Sequence, residues 1–174
     1  SPEKNYLKDG YWAKSRKGEM KPSSLFVRFF VGMDDCTKRI LAVVNDKMTE
    51  AERDKAINAE ISKIEKENNE GGKYVVSVRS FFQGNEFYYF VYQDFTDVRF
   101  VGTPPESLGK FGGDTDNWEW PRHTADFSMF RVYADKDGNP AEYSENNVPL
   151  QPKHYLPVNL GGVKENDYAM ILGY

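Results

Sequence analysis

"KYVVSVRSFFQGNEFYYFVYQDFTDVRFV", residues 73–101, is the stretch on which the fold turns. Two runs rich in valine, phenylalanine and tyrosine, side chains that suit a pleated and half-buried surface, flank the short polar "QGN" at 83–85. The pattern predicts a β-hairpin, with Gly84 and Asn85 suited to positive φ at its turn. Upstream, "SLFVRFFVGM" (24–33) alternates Leu25, Val27, Phe29 and Val31 with Phe26, Arg28 and Phe30, which predicts another strand. Between the two, "TEAERDKAINAEISKIEKENNE" (49–70) opens with Thr49 three residues before Glu52, a capping box, and carries Ile57, Ile61 and Ile64 at helical spacing before Gly71-Gly72. This predicts one amphipathic helix on the side of a sheet, its charges outward.

Downstream, Pro104-Pro105 open a Gly-rich loop, "LGKFGGDTDNWEWPRHTA" (108–125). A strand "DFSMFRVYA" (126–134), a tight turn "DKDGNP" (135–140), a loop with Pro149, Pro152 and Pro157, and a last strand "DYAMILGY" (167–174) are expected after it. No repeat, low-complexity stretch or linker divides the 174 residues, so a single domain, 1–174, of mainly β structure with one helix is predicted. An apolar strand with no polar tail behind it is expected of a piece of a longer chain.

Composition excludes several partners. With 23 Lys and Arg against 27 Asp and Glu and a net charge of −4, there is no electrostatic footprint for nucleic acid or for an anionic membrane. No run of about 18 apolar residues exists to span a bilayer, and residues 1–20 are polar rather than signal-like. The single cysteine, Cys36, forbids an internal disulfide, and between the acids and bases of "MDDCTKR" it reads as a strand-end residue rather than a nucleophile.

The Gly-rich loop lacks the G-x-x-x-x-G-K-[ST] spacing of a phosphate cradle. "DKDGN" lacks the ligand alternation and distal glutamate of a calcium loop, and Gly138 suits a turn. In "GGDTDN", Asp114, Asp116 and Asn117 are candidate cation ligands, although acids in glycine loops more often bond nearby amides. His123 and His154 have no neighbours at metal-ligand spacing, which argues against zinc. No G-x-S-x-G turn is present, and in an extended segment His123 and Asp126 would point to opposite faces. Asp126 is the residue that demands a reason. An acid at the head of an apolar strand must be paired, solvated or functional, because an unpaired carboxylate is costly to bury.

"DFSMFRV" followed by "HYLPVNLGGVKENDYAMILGY" resembles the trypsin-like serine peptidases around their triad aspartate. "GKFGGDTDNWEWPRHTADFSMFRVYADKDG" is more closely similar to the bacterial dipeptidyl peptidases of serine-peptidase family forty-six, supported by "DGYWAKSRKGE", "QGNEFYYFVYQDFTDVRFVGTPP" and "LPVNLGGVKENDYAMILGY". The resemblance covers essentially the whole chain. It implies a trypsin-like segment, the larger part of the first barrel of a double-barrel serine peptidase, from a periplasmic or secreted parent that releases dipeptides from peptide N-termini. Asp126 would be the triad acid, held ionised at a protected strand start while it orients an imidazole, and Asn117 and Trp118 would help hold the substrate's free α-amino group. No cofactor and no metal is implied. The implied partners are peptides with a free N-terminus and the remaining parts of the same parent chain, and a homodimeric parent is compatible. The family's catalytic histidine and serine lie in segments of Asn-His-His-Cys and Gly-Asn-Ser-Gly type that do not occur in these residues, so the chain alone is expected to be inactive. From composition alone a rival stands, a non-catalytic β-module that binds an extended peptide or glycan through its aromatic surface.

Overall fold

The computed structural model describes residues 5–110, 112, 113, 115 and 124–171. Its order is α1 (Tyr6–Asp9), β1 (Tyr11–Trp12), β2 (Val27–Asp35), α2 (Thr37–Leu41), α3 (Glu50–Asn68), β3 (Val75–Phe81), β4 (Glu86–Phe95), β5 (Val98–Thr103), α4 (Glu106–Gly109), β6 (Met129–Ala134) and β7 (Val148–Pro149). The fold is mainly β, as expected. Among the described residues three short α-helices accompany the long one, against an expectation of one helix.

The hairpin forms, but its second run, expected to continue to Val101, breaks after Phe95 into β4 and β5, which join different sheets; β3 and β4 with β2 make a three-stranded antiparallel sheet in the order β2-β4-β3. Register runs from Val75↔Tyr92 to Phe81↔Glu86 on one side and from Val27↔Phe95 to Asp35↔Tyr88 on the other, with an irregularity between Phe30 and Gly32. Period-two alternation splits β4 between two surfaces. Phe87 and Tyr89 join Cys36, Ile40 and Ile64 in a core completed by Leu41, Ile57, Ile61 and Val78, so α2 and α3 cover that face. Tyr88, Phe90 and Tyr92 stand on the other, where Phe81 and Phe30 meet them ring to ring at 5.7–6.4 Å.

The turn differs in detail. Phe82 (φ 49), Gln83 (φ 59) and Gly84 (φ 86) are left-handed, whereas Asn85 has φ −84. Asn85 instead closes the turn, its backbone N–H and its Nδ2 both donating to the Phe82 carbonyl at 3.3 and 2.7 Å. Two non-glycine residues therefore carry a conformation that costs on the order of 1 kcal/mol or more each.

Helix α3 is capped as its sequence predicts. Glu52 N–H donates to Thr49 Oγ1 while Thr49 N–H donates to Glu52 Oε2 at 2.9 Å. One of its charges is not outward. Glu60 is buried, and accepts from Arg39 Nε at 2.7 Å and Lys63 Nζ at 2.9 Å, which ties α2 to α3. Cys36 is buried too, directly after the end of β2 as its strand-end reading expects and at the N-cap of α2, with Sγ donating to the Phe87 carbonyl at 3.4 Å. Burial pushes its thiol pKa up, in line with a packing role.

The second sheet has the order β1-β5-β6-β7. A buried charge network locks its middle. Asp97 is fully buried and accepts from Arg99 Nε and Nη2 at 2.9 and 2.7 Å and from Asn147 Nδ2 at 2.8 Å. Arg99 also donates to the Ser144 carbonyl at 2.8 Å and lies 3.7 Å over the Tyr133 ring. Tyr133 OH in turn donates to Glu19 Oε2 at 2.7 Å, and Arg131 Nε to Glu19 Oε1 at 2.9 Å. "DKDGNP" is the expected turn, with Gly138 N–H donating to the Asp135 carbonyl at 3.1 Å.

Two expected strands need correction. β6 begins at Met129, not Asp126. "DYAMILGY" is not a strand over its described residues 167–171, and everything from Gln151 to Ile171 is exposed. Apolar sequence alone cannot hold a strand, because its backbone donors and acceptors need a neighbouring ladder, and none of the described strands lies beside it.

Candidate active site

The reason β6 starts late sits in its neighbour. β5 and β6 are in register at Phe100↔Phe130, then slip, so that Gly102 faces Met129. Trp12 pairs with Gly102 from the other side, and a Cβ at position 102 would lie 2.3 Å from Trp12 Cε3. Only glycine lets the indole lie flat on the strand there. The indole meets the Phe127 ring at 6.1 Å, and the chain on the N-terminal side of Met129 leaves the ladder across this aromatic step.

Residues 124–128, although outside the sheet, are anchored. Ala125 N–H donates to the Leu108 carbonyl in α4 at 2.9 Å, and Phe127 N–H reaches back to the Ala125 carbonyl at 3.2 Å. Thr103 Oγ1, at the end of β5, donates to the Phe127 carbonyl at 3.1 Å and lies 3.3 Å from the Pro104 carbonyl. Asp126 is thus the central residue of a three-residue turn, with no left-handed φ of its own. It is exposed, and among the described residues no hydrogen bond or ion pair reaches its carboxylate. The acid lies three residues before the strand rather than at its start, and among the described residues no donor surrounds it.

The carboxylate borders a cleft of about 340 Å³ between α1, α4 and the end of β5. Tyr6 and Leu7 form one wall, Pro104, Glu106 and Lys110 another, and Thr124 to Phe127 the third. Gly113 and Thr124, which flank 114–123, both line it. Asn117 and Trp118 lie outside the described residues, as do His123 and the candidate cation ligands Asp114 and Asp116. Among the described residues, no group of three His, Cys, Asp or Glu is arranged to hold a metal ion, and no helix is long and apolar enough to cross a membrane.

Chemically, the cleft offers two acids without a side-chain partner among the described residues, Glu106 on α4 and Asp126 on an anchored turn, and of these Asp126 carries the family resemblance. Such a group can accept an N–H from a partner and orient it, but cannot by itself break a peptide bond. The residues that make it so, Trp12, Gly102 and Thr103, had only one sequence signal, a glycine inside a strand pattern in "RFVGTPP", which marks a close approach by another group.

A solved structure and curated relatives share this arrangement of strands or its sequence. Dipeptidyl-peptidase 7 of Capnocytophaga gingivalis is 73% identical over 174 residues, all of this chain and 24% of that protein. Asp/Glu-specific dipeptidyl-peptidase of Flavobacterium psychrophilum is 47% identical over 174 residues, again 100% of this chain and 24% of the relative. The crystal structure of Porphyromonas endodontalis DPP11 in complex with dipeptide Arg-Asp superposes with a TM-score of 0.78 at 41% identity, covering 94% of this chain and 24% of that one. The chain therefore spans about a quarter of the length of the relatives it matches. Since the Peptidase S46 profile matches residues 1–174 without remainder, and a structure of the same kind carries the same strands, the chain belongs to the Peptidase S46 family.

Proposed function

We propose that the chain is part of a serine dipeptidyl aminopeptidase, in which it supplies the triad acid, Asp126, and part of the site that holds the substrate's α-amino group, Asn117 and Trp118. One observation carries the role of Asp126. It is an exposed acid without a partner among the described residues, at the apex of a turn anchored on both sides and facing a cleft. An acid meant only to cap its own turn would spend its oxygens on nearby amides, as Asp135 does with the N–H groups of Asp137 and Asn139 at 2.9 and 2.8 Å. Among the described residues, neither Asp126 oxygen is spent in this way.

In the parent, an imidazole from outside these residues would donate to Asp126, which fixes its tautomer and steadies the imidazolium formed when the serine gives up its proton. Asn117 and Trp118 carry an amide oxygen and an aromatic face, the chemistry that suits an ammonium group. The trypsin-like double barrel, a periplasmic or secreted location and peptides with a free N-terminus as substrates belong to the same proposal. The rival, a binding module using its aromatic surface, has the open face around Phe30 and Phe81 in its favour, but leaves Asp126 without a task. The test is Asp126→Asn in the parent, expected to lower kcat by roughly 10³ to 10⁴ with the fold kept. A variant with near wild-type kcat would make Asp126 a surface acid.

A further inference from the structure

We infer that Thr103, with Trp12 seated on Gly102, is a positioning device that aims the Asp126 carboxylate into the cleft. The inference rests on Asp126 being the triad acid and concerns residues to which the family resemblance assigns nothing.

Asp126 has no side-chain partner among the described residues, so the direction of its carboxylate is set by its backbone. That backbone is held at two points. Before it, Ala125 N–H is bonded to Leu108. After it, the Phe127 carbonyl takes the Thr103 hydroxyl proton, and the Phe127 ring rests on Trp12. The first anchor is backbone to backbone, and most side chains at 125 or 108 would preserve it. The second depends on the Thr103 side chain as donor to a backbone carbonyl and on the Phe127 and Trp12 rings. Thr103 Oγ1 has one proton and two carbonyls in reach, Phe127 and Pro104. Given to Phe127, it closes the turn from the β5 side. With valine at 103 the shape stays but the proton is gone; the Phe127 N–H bond to Ala125 still closes the turn, but the Phe127 carbonyl loses its tether and can swing, shifting the Asp126 Cα–Cβ bond with it. β1 has only two residues, and it registers Tyr11 on Thr103 and Trp12 on Gly102. It therefore places the ring and the hydroxyl side by side.

A misaimed acid loses orientation of the imidazole, not substrate affinity, so the effect belongs in kcat. In the full-length parent, Thr103→Val is expected to lower kcat on dipeptidyl substrates between roughly tenfold and a hundredfold with KM little changed, the scale for a small misplacement of a catalytic group. Thr103→Ser, which keeps the proton, should restore most of it. In an Asp126→Asn background the Thr103→Val change should cost nothing further, since there is no longer a charged acid to aim. Where the valine variant does not fold, Trp12→Leu, which withdraws support from Phe127, gives the same readings. Wild-type kcat in Thr103→Val, a loss of equal size in both backgrounds, or a change confined to KM would overturn the positioning role while leaving Asp126 as the acid. Wild-type kcat in Asp126→Asn alone would overturn both.

Discussion

Replacing Asp97 with asparagine changes no shape and removes one charge from the middle of the sheet that carries the cleft. Asp97 is fully buried and Arg99 is 6% exposed, so neither charge is relieved by water. Each carboxylate oxygen accepts from a donor: Oδ1 from Arg99 Nε, Oδ2 from Arg99 Nη2 and Asn147 Nδ2. Whichever way an asparagine amide is turned, its NH₂ faces a donor. Breaking one member of a buried pair costs about 3–5 kcal/mol, and the lower end is expected because Arg99 keeps the Ser144 carbonyl and the Tyr133 ring. The double change Asp97→Asn with Arg99→Met should be less harmful than the single one, since no uncompensated charge remains.

The pH dependence gives an independent reading. Burial works against the charge on Asp97, but the hydrogen bonds from Arg99 and Asn147 and the charge of Arg99 outweigh it and hold the carboxyl below its ordinary value. A carboxyl depressed in the folded state stabilises above its unfolded pKa of about 3.9, and that contribution is lost as pH falls through the folded value. Glu52, Glu60, Glu67 and Asp135 are held low by hydrogen bonds as well, so acid sensitivity of the wild type alone says nothing about Asp97. The difference between wild type and Asp97→Asn is the quantity to follow, by urea denaturation of the chain at a series of pH values. It should be largest near neutrality and shrink below about pH 4. A neutral-pH difference within about 0.5 kcal/mol, or one that stays constant as the pH is lowered, would refute the account of the network.

Two further outcomes are expected. Asn117→Ala in the parent should cost roughly 1.5 to 3 kcal/mol in kcat/KM on free-amine dipeptidyl substrates and almost nothing on Nα-acetylated ones, the range for a hydrogen bond to a charged group; equal losses on both would reduce Asn117 to a loop residue. Cys36, 5% exposed with its thiol pushed up by burial, should react with a disulfide reagent only as fast as the chain opens, on the order of a hundredfold or more below a free thiol, and rapid labelling of the native chain would contradict its place in the core.

The features legible in the sequence are those whose causes lie within a few residues of one another. Thr49 and Glu52 sit three apart and form the box their spacing announces. Val75 to Phe95 needs only its own alternation and a short turn to become a hairpin, although which residues of that turn go left-handed is decided by Asn85 bonding back to Phe82. "FTDVRF" shows the limit. Asp97 and Arg99, at i and i+2, share a face that a strand pattern assigns to water, yet that face is buried under a loop whose Ser144 and Asn147 come far later in the chain. The last apolar run misleads in the opposite direction, since hydrophobicity promises a strand and only a neighbour can make one.

Asp126 combines both cases. The residue type and its place before an apolar run single it out, because an acid there needs a reason. Its surroundings do not follow from "DFSMFRVY", which reads as one uninterrupted strand. The interruption comes from Trp12 lying on Gly102, a contact between the first short strand and the fifth that no local pattern records. The same contact ends the ladder at Met129, bends Phe127 onto the indole and leaves Asp126 outside the sheet, its oxygens without a partner among the described residues. Had β6 run on to residue 126, ladder hydrogen bonds would have fixed the acid's backbone, and its direction would have needed no side chain of β5. Because it does not, the orientation of the one candidate catalytic group in the chain passes to Thr103, whose hydroxyl is worth far more to the site than its half-buried place at a strand end suggests.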